Sequence, residues 1–291
     1  MDVTIRSLMK SDFQPIKKFH KQIIGDFDNQ TQEENFYRYI QLNSKLIKIA
    51  IKGSKIIGYI LGYRINPRKV RIYSIFVLPQ FQRKQIGFKL IKSFENDIEI
   101  MLPDLRYLSI RIPQKFFNST PFFKNLGFNL ITKLNNYQKR DLSFPYQLNL
   151  NVFIRSLKKK EEDLTNLIRL ERKCFPDYWQ MEKSEFIKAL NSETTSIFLA
   201  FKDEHLVGYN YNTISETKPE GHYVRIATHP NFRQQYIATS LTAMAFHWFK
   251  KHQVKRILLS TYADSPVHNR LYQNWGFKTV DQEIIMAKHY F

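Results

Sequence analysis

The sequence predicts an α+β fold built as two tandem units. Each unit would be a central, mostly antiparallel mixed sheet flanked by helices. The chain repeats itself, both repeats order their elements alike, and 291 residues suffice for two cores at ~100–200 residues per domain. Ile5-Arg6-Ser7-Leu8 recurs as Ile154-Arg155-Ser156-Leu157, and Gly58-Tyr59 as Gly208-Tyr209. Pro79 with Phe81 recurs as Pro230 with Phe232, and Gly127-Phe128 as Gly276-Phe277. Four matches in one order, all at offsets of 149 to 151, mark an internal repeat. The units expected are residues 1–145 and 150–291. The join falls near Leu142 to Asn151, where Ser143, Pro145 and Asn149 interrupt periodicity.

Each copy opens with a β-rich run, Val3–Arg6 or Val152–Arg155. A helix follows. In copy one it is Ser11–Ile24, with Ser11 as its N-cap. In copy two Leu164, Leu167, Ile168 and Leu170 form a helical stripe. Two strands come next, Leu46–Ile51 and Ile56–Arg64, or Ser196–Phe201 and His205–Tyr211. An apolar strand, Val70–Val77 or His222–Thr228, leads through a proline and a polar loop into a helix, Ile86–Asn96 or Ile237–His252. A strand (Tyr107–Ile112; Arg256–Thr261), a short aromatic helix and final strands close each copy.

Composition narrows the class. The net charge of +19 attracts anions, but the basic residues are dispersed. Lys158-Lys159-Lys160 runs straight into Glu161, Glu162 and Asp163, as the solvated start of a helix would. Dedicated nucleic-acid binding is not expected. The one cysteine, Cys174, allows no intrachain disulfide and reads as a half-buried small hydrophobe in a reducing, cytoplasmic setting. No apolar run approaches the ~20 residues of a membrane span, and the first residues lack a signal-peptide pattern. His247, His252 and His268 fit no metal-ligand spacing, so no metal is expected.

The chemistry lies in the strand, loop and helix at the middle of each copy. Copy one reads Ile75-Phe76-Val77-Leu78-Pro79-Gln80-Phe81-Gln82-Arg83-Lys84-Gln85-Ile86-Gly87-Phe88. Copy two reads Ile226-Ala227-Thr228-His229-Pro230-Asn231-Phe232-Arg233-Gln234-Gln235-Tyr236-Ile237-Ala238-Thr239. A polar loop entering a helix presents free N–H groups and positive potential, which suits a pyrophosphate. The segment resembles the acetyl-CoA loop of the GCN5-related N-acetyltransferase (GNAT) family, Gln/Arg-x-x-Gly-x-Gly/Ala after a strand. Gln82 and Gly87 match in copy one, and Arg233 and Ala238 in copy two. Both copies depart at the middle glycine, where Gln85 and Tyr236 stand; the departure is tolerable if that residue is already helical. Both copies also carry the family's late aromatic-Gly-Phe signature, Phe122 to Phe128 and Leu271 to Phe277.

The resemblance implies acetyl-CoA as cofactor and an amine as substrate, on a small molecule or a protein. The family often places a tyrosine just before the Gly-Phe pair to protonate the leaving thiolate. Copy two has Tyr272 there and copy one has Phe123; a plain core aromatic is the other reading of Tyr272. In the histone-acetyltransferase branch of the family a glutamate lies about six residues before the end of this strand. The same count from Thr228 reaches His222 as a candidate base, on the same strand face by even spacing. Glu216 and Glu220 are rivals. The same count from Val77 reaches Arg71, which cannot accept a proton. The backbone N–H of Thr228 would polarise the acetyl carbonyl. Copy one is therefore expected to be catalytically silent while keeping a CoA loop. Phe175 to Trp179 either line the acceptor cleft or pack a helix–helix turn. Tandem copies also resemble translocated bacterial effectors of the VipF type. Under that resemblance the protein would act in a host cytosol on a host protein partner. The alternative function is a protein-binding effector that keeps CoA as a structural ligand.

Overall fold

The computed structural model describes residues 2–24, 36, 40, 44–144, 148–149 and 151–290. It forms two compact units, Met1–Ile131 with Ile284–Phe291, and Thr132–Glu283. In the first unit the elements run β1 (Val3–Ser7), α1 (Phe13–Ile24), β2 (Ile47–Lys52), β3 (Lys55–Asn66) and β4 (Lys69–Val77). Then come α2 (Ile86–Met101), β5 (Tyr107–Pro113) and α3 (Thr120–Asn125). β6 (Asn129–Lys139) leaves this unit after Ile131. The second unit holds β7 (Phe153–Ser156), α4 (Glu161–Cys174), α5 (Lys183–Leu190), β8 (Thr195–Lys202), β9 (His205–Ile214) and β10 (Glu220–Thr228). It continues with α6 (Ile237–Lys251), β11 (Arg256–Tyr262) and α7 (Pro266–Asn274). β12 (Lys278–His289) leaves it after Glu283.

The first unit orders its strands β1-β2-β3-β4-β5 and then the end of β12. The second orders them β7-β8-β9-β10-β11 and then β6, antiparallel to β11. Within each, neighbours are antiparallel until β4 meets β5 and β10 meets β11 in parallel. Strands thus exchange between copies: the last strand of each copy in the sequence completes the sheet of the other. The mixed sheets match the sequence expectation; the exchange had no counterpart in it.

The repeated motifs have local causes. Arg6 donates to both oxygens of Asp12 at 2.6 and 2.9 Å, and Arg155 to both of Asp163 at 2.7 and 2.6 Å. Each aspartate also accepts a backbone N–H at the turn before its helix, from Met9 or Lys158. The Ile-Arg-Ser-Leu repeat is therefore a strand-to-helix clamp. Ser11 does not cap α1. It lies in the one-turn helix Lys10–Asp12, and the Asp12 carboxylate caps Met9 N–H. The Gly-Phe pairs end α3 and α7. Gly127 (φ +86°) and Gly276 (φ +81°) are left-handed, and Phe128 and Phe277 donate back to the carbonyls of Phe123 and Tyr272, both at 3.0 Å. That is a Schellman ending, which favours glycine.

Each unit packs helices on both sheet faces. Leu90, Ile91, Phe94 and Ile98 of α2 pack with Ile60 and Ile72. Ile16 and Phe19 of α1 meet Ile49, Tyr59 and Leu61. In the second unit Phe246 and Phe249 of α6 lie in one core with Tyr223 and Tyr272, while Leu167 of α4 and Phe186 of α5 enclose Tyr209 and Ala227.

Candidate active site

The site begins where two parallel strands part. β10 pairs with β11 only from Glu220 to His222, opposite Arg256 to Leu258. Beyond His222 the strands pair no further. His229 N–H donates to Val207 O at 2.8 Å, across the pair that follows Thr228–Gly208. Inter-strand bonds alternate along an antiparallel ladder. The N–H groups of Thr228 and Ile226 therefore point away from β9, into the cleft. Copy one repeats this geometry. β4 pairs with β5 only from Lys69 to Ile72, and Leu78 N–H donates to Ile57 O at 2.9 Å. Val77 and Ile75 then face the corresponding cleft. In copy two the Thr228 Oγ1 is buried and, among the described residues, has no partner.

The loop at the open end turns its backbone amides and nearby cations toward one place. After the turn Pro230–Phe232, Gln234 (φ 61°) and Tyr236 (φ 56°) are left-handed, and α6 starts at Ile237. Such a loop turns successive N–H groups into one concavity. Among the described residues no acceptor takes the N–H of Gln234, Gln235, Tyr236, Ile237, Ala238 or Thr239. The same holds for Arg83, Lys84, Gln85, Ile86, Gly87 and Phe88. Cations converge on the turn: partial burial, then Lys173 and Arg233, push His229 below the usual imidazole value. These free amides and cations fit the pyrophosphate of coenzyme A.

One expectation needs correction. Gln85 (φ 60°) and Tyr236 are not helical; both are left-handed N-cap residues. They occupy a conformation that costs a non-glycine residue roughly 1–2 kcal/mol. Their side chains do point outward, and Tyr236 is 58% exposed.

Tyr272 lies in α7 and is 7% exposed. Its ring packs against Tyr137, Trp275 and Phe277, with centroids 6.3, 5.7 and 6.0 Å away. Burial raises its pKa, so the phenol stays protonated at ordinary pH. Among the described residues no hydrogen bond uses its hydroxyl. Phe123 occupies the same place in copy one and is 3% exposed.

His222 sits at the closed end of the cleft, exposed, paired with Leu258. The even-spacing argument fails, because a β-bulge intervenes between Tyr223 and Arg225. A bulge adds one residue and reverses the alternation beyond it. The side chains of His222 and Thr228 therefore lie on opposite faces, roughly 20 Å apart along the strand. Tyr223, packed with Phe246 and Phe249, belongs to the α6 face with Thr228. His222 belongs to the α4 face with Arg225 and Ala227. Of its rivals, Glu220 is tied to Arg256, and Glu216 lies between β9 and β10.

On the α4 face the sequence reading missed a buried cluster. Glu171 is fully buried and accepts hydrogen bonds from the Tyr209 hydroxyl, from Arg225 and from Met181 N–H at 2.9 Å. Burial raises its pKa, opposed first by Arg225. The Arg225 guanidinium also lies over Phe175, 4.3 Å from the ring centroid. Cys174, one turn beyond Glu171, donates its thiol to Thr228 O at 3.6 Å. That contact sets the end of α4 against the open end of β10, and burial pushes the thiol up to about 11. The sequence held one signal: Glu171 continues the Leu164, Leu167, Ile168 stripe, so a carboxylate falls on an apolar face. Trp179 packs edge-on against Tyr262 of β11, with centroids 5.6 Å apart, rather than against a helix alone.

Residues 164–277 match the "Acetyltransferase (GNAT) family" model and residues 15–150 the "Acetyltransferase (GNAT) domain" model. The chain carries two GNAT domains in tandem. Solved structures agree in fold. A GCN5-related N-acetyltransferase from Sphaerobacter thermophilus aligns at TM-score 0.72 and 15% identity, over 99% of this chain and 95% of that one. A tandem GNAT protein from the clavulanic acid biosynthesis pathway aligns at TM-score 0.67 and 12% identity, over 99% and 98%. A GCN5-related glucosamine N-acetyltransferase region of a fungal GH3 β-N-acetylglucosaminidase aligns at 0.76 and 13% identity, over 98% of this chain and 38% of that one. No significant match is found among the curated proteins. Among the described residues no group of His, Cys, Asp and Glu could hold a metal, and no helix is long and apolar enough to cross a membrane.

Proposed function

We propose that this protein is an acetyl-CoA-dependent N-acetyltransferase acting on a primary amine, with its chemistry in the C-terminal copy. The observation that carries this reading is Tyr272: a buried, protonated phenol without a hydrogen-bond partner among the described residues, in the core with Tyr223 where β10 leaves β11. Bound acetyl-CoA would supply an activated acetyl thioester. Arg233 and the N–H groups of Gln234 to Thr239 would hold its pyrophosphate. Ile226, Ala227 and Thr228 would line its thioester arm, and Thr228 N–H would donate to the carbonyl oxygen as negative charge develops there. Tyr272 would give a proton to the departing sulfur. Glu171 is the candidate base toward the incoming amine, because Arg225, three residues before Thr228, holds its carboxylate and burial raises its pKa. His222, roughly 20 Å from Thr228 along the strand, is too far to take that proton directly. Acid and base would then act from opposite faces of the sheet, across the cleft.

The N-terminal copy is assigned as silent. It presents a full set of loop amides but has Phe123 where Tyr272 stands and Arg71 where His222 stands. The lone cysteine supports a cytosolic setting.

The test is acetyl-CoA titration by calorimetry on the whole protein and on an Arg233→Asp/Gln234→Asp variant. Two sites falling to one is the expected result. Loss of a single site would leave the N-terminal copy as a partner-binding module. No binding by the wild-type protein would move the reading to an interaction protein that has kept the fold and lost the cofactor.

A further inference from the structure

Asn149 lies in the segment that joins the two copies, outside every motif above. Its Nδ2 donates to the Gln235 carbonyl at 2.8 Å, and its backbone N–H donates to Ser240 Oγ at 2.9 Å. Ser240 Oγ in turn donates to the Tyr236 carbonyl at 3.1 Å. Lys202 Nζ holds the Gln235 side chain at Oε1, 3.0 Å away. The carbonyls of Gln235 and Tyr236 belong to the peptides whose N–H groups are those of Tyr236 and Ile237. In a planar trans peptide the N–H points opposite to the C=O. Tying both carbonyls toward Asn149 and Ser240 therefore aims both N–H groups the other way, and neither has an acceptor among the described residues.

Copy one has no such device. Lys84 stands where Gln235 does, and among the described residues nothing bonds its carbonyl. Lys89 stands where Ser240 does and is exposed, as is Phe88, whereas Thr239 and Ser240 are buried. The strained left-handed residue, Gln85 or Tyr236, is present in both copies, and in both a helical bond from Lys89 or Ser240 N–H, at 2.9 Å, fastens the peptide after it. Among the described residues only the second copy also fastens the peptide before it.

We propose that Asn149 is a positioning residue for pyrophosphate binding in the C-terminal copy, so that the joining segment is part of that copy's cofactor site. This rests on reading the loop as the pyrophosphate site. It predicts an asymmetry the motifs do not: the C-terminal copy binds acetyl-CoA more tightly than the N-terminal copy, with the same number of free amides.

The experiment uses the full chain carrying Arg83→Asp, so that only the C-terminal loop is read. Acetyl-CoA and acetyl-pantetheine, which has the thioester arm but no pyrophosphate, are titrated with and without Asn149→Ala. The substitution should weaken acetyl-CoA about tenfold, the scale of one lost hydrogen bond. Acetyl-pantetheine should bind unchanged. KM for acetyl-CoA should rise by the same factor with kcat unaltered. Ser240→Ala cuts the tie from its other end and should act in the same direction, less than additively with Asn149→Ala. Undiminished acetyl-CoA binding in both variants, or equal loss of both ligands, overturns the proposal. Failure of the parent chain to bind acetyl-CoA at all overturns the pyrophosphate reading itself, and is distinguished by appearing without any change at Asn149.

Discussion

The two copies share a backbone plan and differ in what they bury beneath the helix that follows the anion loop. In the C-terminal copy that layer is polar. Asn212 Nδ2 donates to Ser196 Oγ and to Asn210 Oδ1, both at 3.2 Å, and Asn210 Nδ2 donates to Leu241 O at 2.6 Å. The hydroxyls of Tyr223 and Thr242 meet at 2.7 Å. Matched registers put Leu46, Ile60, Gly62, Ile72 and Ile91 at these places in the N-terminal copy, where the four aliphatic residues join one apolar core. Tyr272 against Phe123 extends the contrast. Buried polar groups cost stability unless fully paired. One copy keeps such groups around the cleft and the other has replaced all of them with apolar residues or glycine, which fits a division between a working and a supporting domain.

The comparison is broken most directly at Tyr272. Tyr272→Phe should lower kcat by ~10²–10⁴-fold, the usual worth of general acid–base catalysis, and leave acetyl-CoA affinity unchanged. Phe123→Tyr should not alter turnover. A Tyr272→Phe enzyme with full rate would end the assignment.

Next in size is Asn210→Ile, which installs the N-terminal residue in the C-terminal layer. It removes the Asn210 donor to Leu241 O and the Oδ1 that accepts from buried Asn212, and should cost about 1–3 kcal/mol in denaturant unfolding. Ile60→Asn should be at least as costly, because it buries an amide with no partner prepared.

The clamps should behave alike in both copies. Arg6 and Arg155 hold Asp12 and Asp163 below the usual carboxylate range, mainly through side-chain hydrogen bonds. A carboxylate lowered on folding stabilises the fold above its unfolded pKa, and that stability is lost as pH falls through the folded value. Asp163→Asn should therefore cost about 1–2 kcal/mol at pH 7 and progressively less as pH falls below the unfolded carboxylate value of ~3.9, with Asp12→Asn matching it. Unequal losses at pH 7 would show that the copies do not use the clamp equally.

A smaller effect comes from the strained caps. Tyr236→Gly and Gln85→Gly should each change stability by no more than about 1 kcal/mol, since relief of strain is offset by a freer unfolded chain. Last is Cys174. With its thiol at about 11, it should alkylate very slowly at pH 7 and faster as pH rises, and bound acetyl-CoA should slow it further.

Much of this architecture was readable because it is local. The four repeated motifs became a clamp, a close approach of the next strand to Gly58 and Gly208, where an added Cβ would lie 2.8 Å from Phe76 O or 3.0 Å from Ala227 O, a one-turn helix and a Schellman ending. Tyr272 and both loops were singled out the same way, from a few adjacent residues. The bulge at Tyr223–Arg225 was not, because no glycine or proline marks it and it falls where β10 parts from β11, a feature of tertiary structure. Glu171 was passed over because its partners, Tyr209 and Arg225, come from distant strands. The left-handed Gln85 and Tyr236 defied propensity at the loop proposed to hold the cofactor, as such conflicts do at functional sites.

The strand exchange has a consequence for how the chain is made. A ribosome releases the protein from its amino terminus, yet the first unit includes Ile284–Phe291. The sheet begun by Val3 cannot be finished until more than 150 residues of the other unit have been synthesised. During that interval the outer edge of Tyr107–Pro113 waits as an unpaired strand, a template for any passing β-segment. Cutting the gene at the joining segment would make that wait permanent for both halves, so the separated copies should aggregate where the intact polypeptide does not.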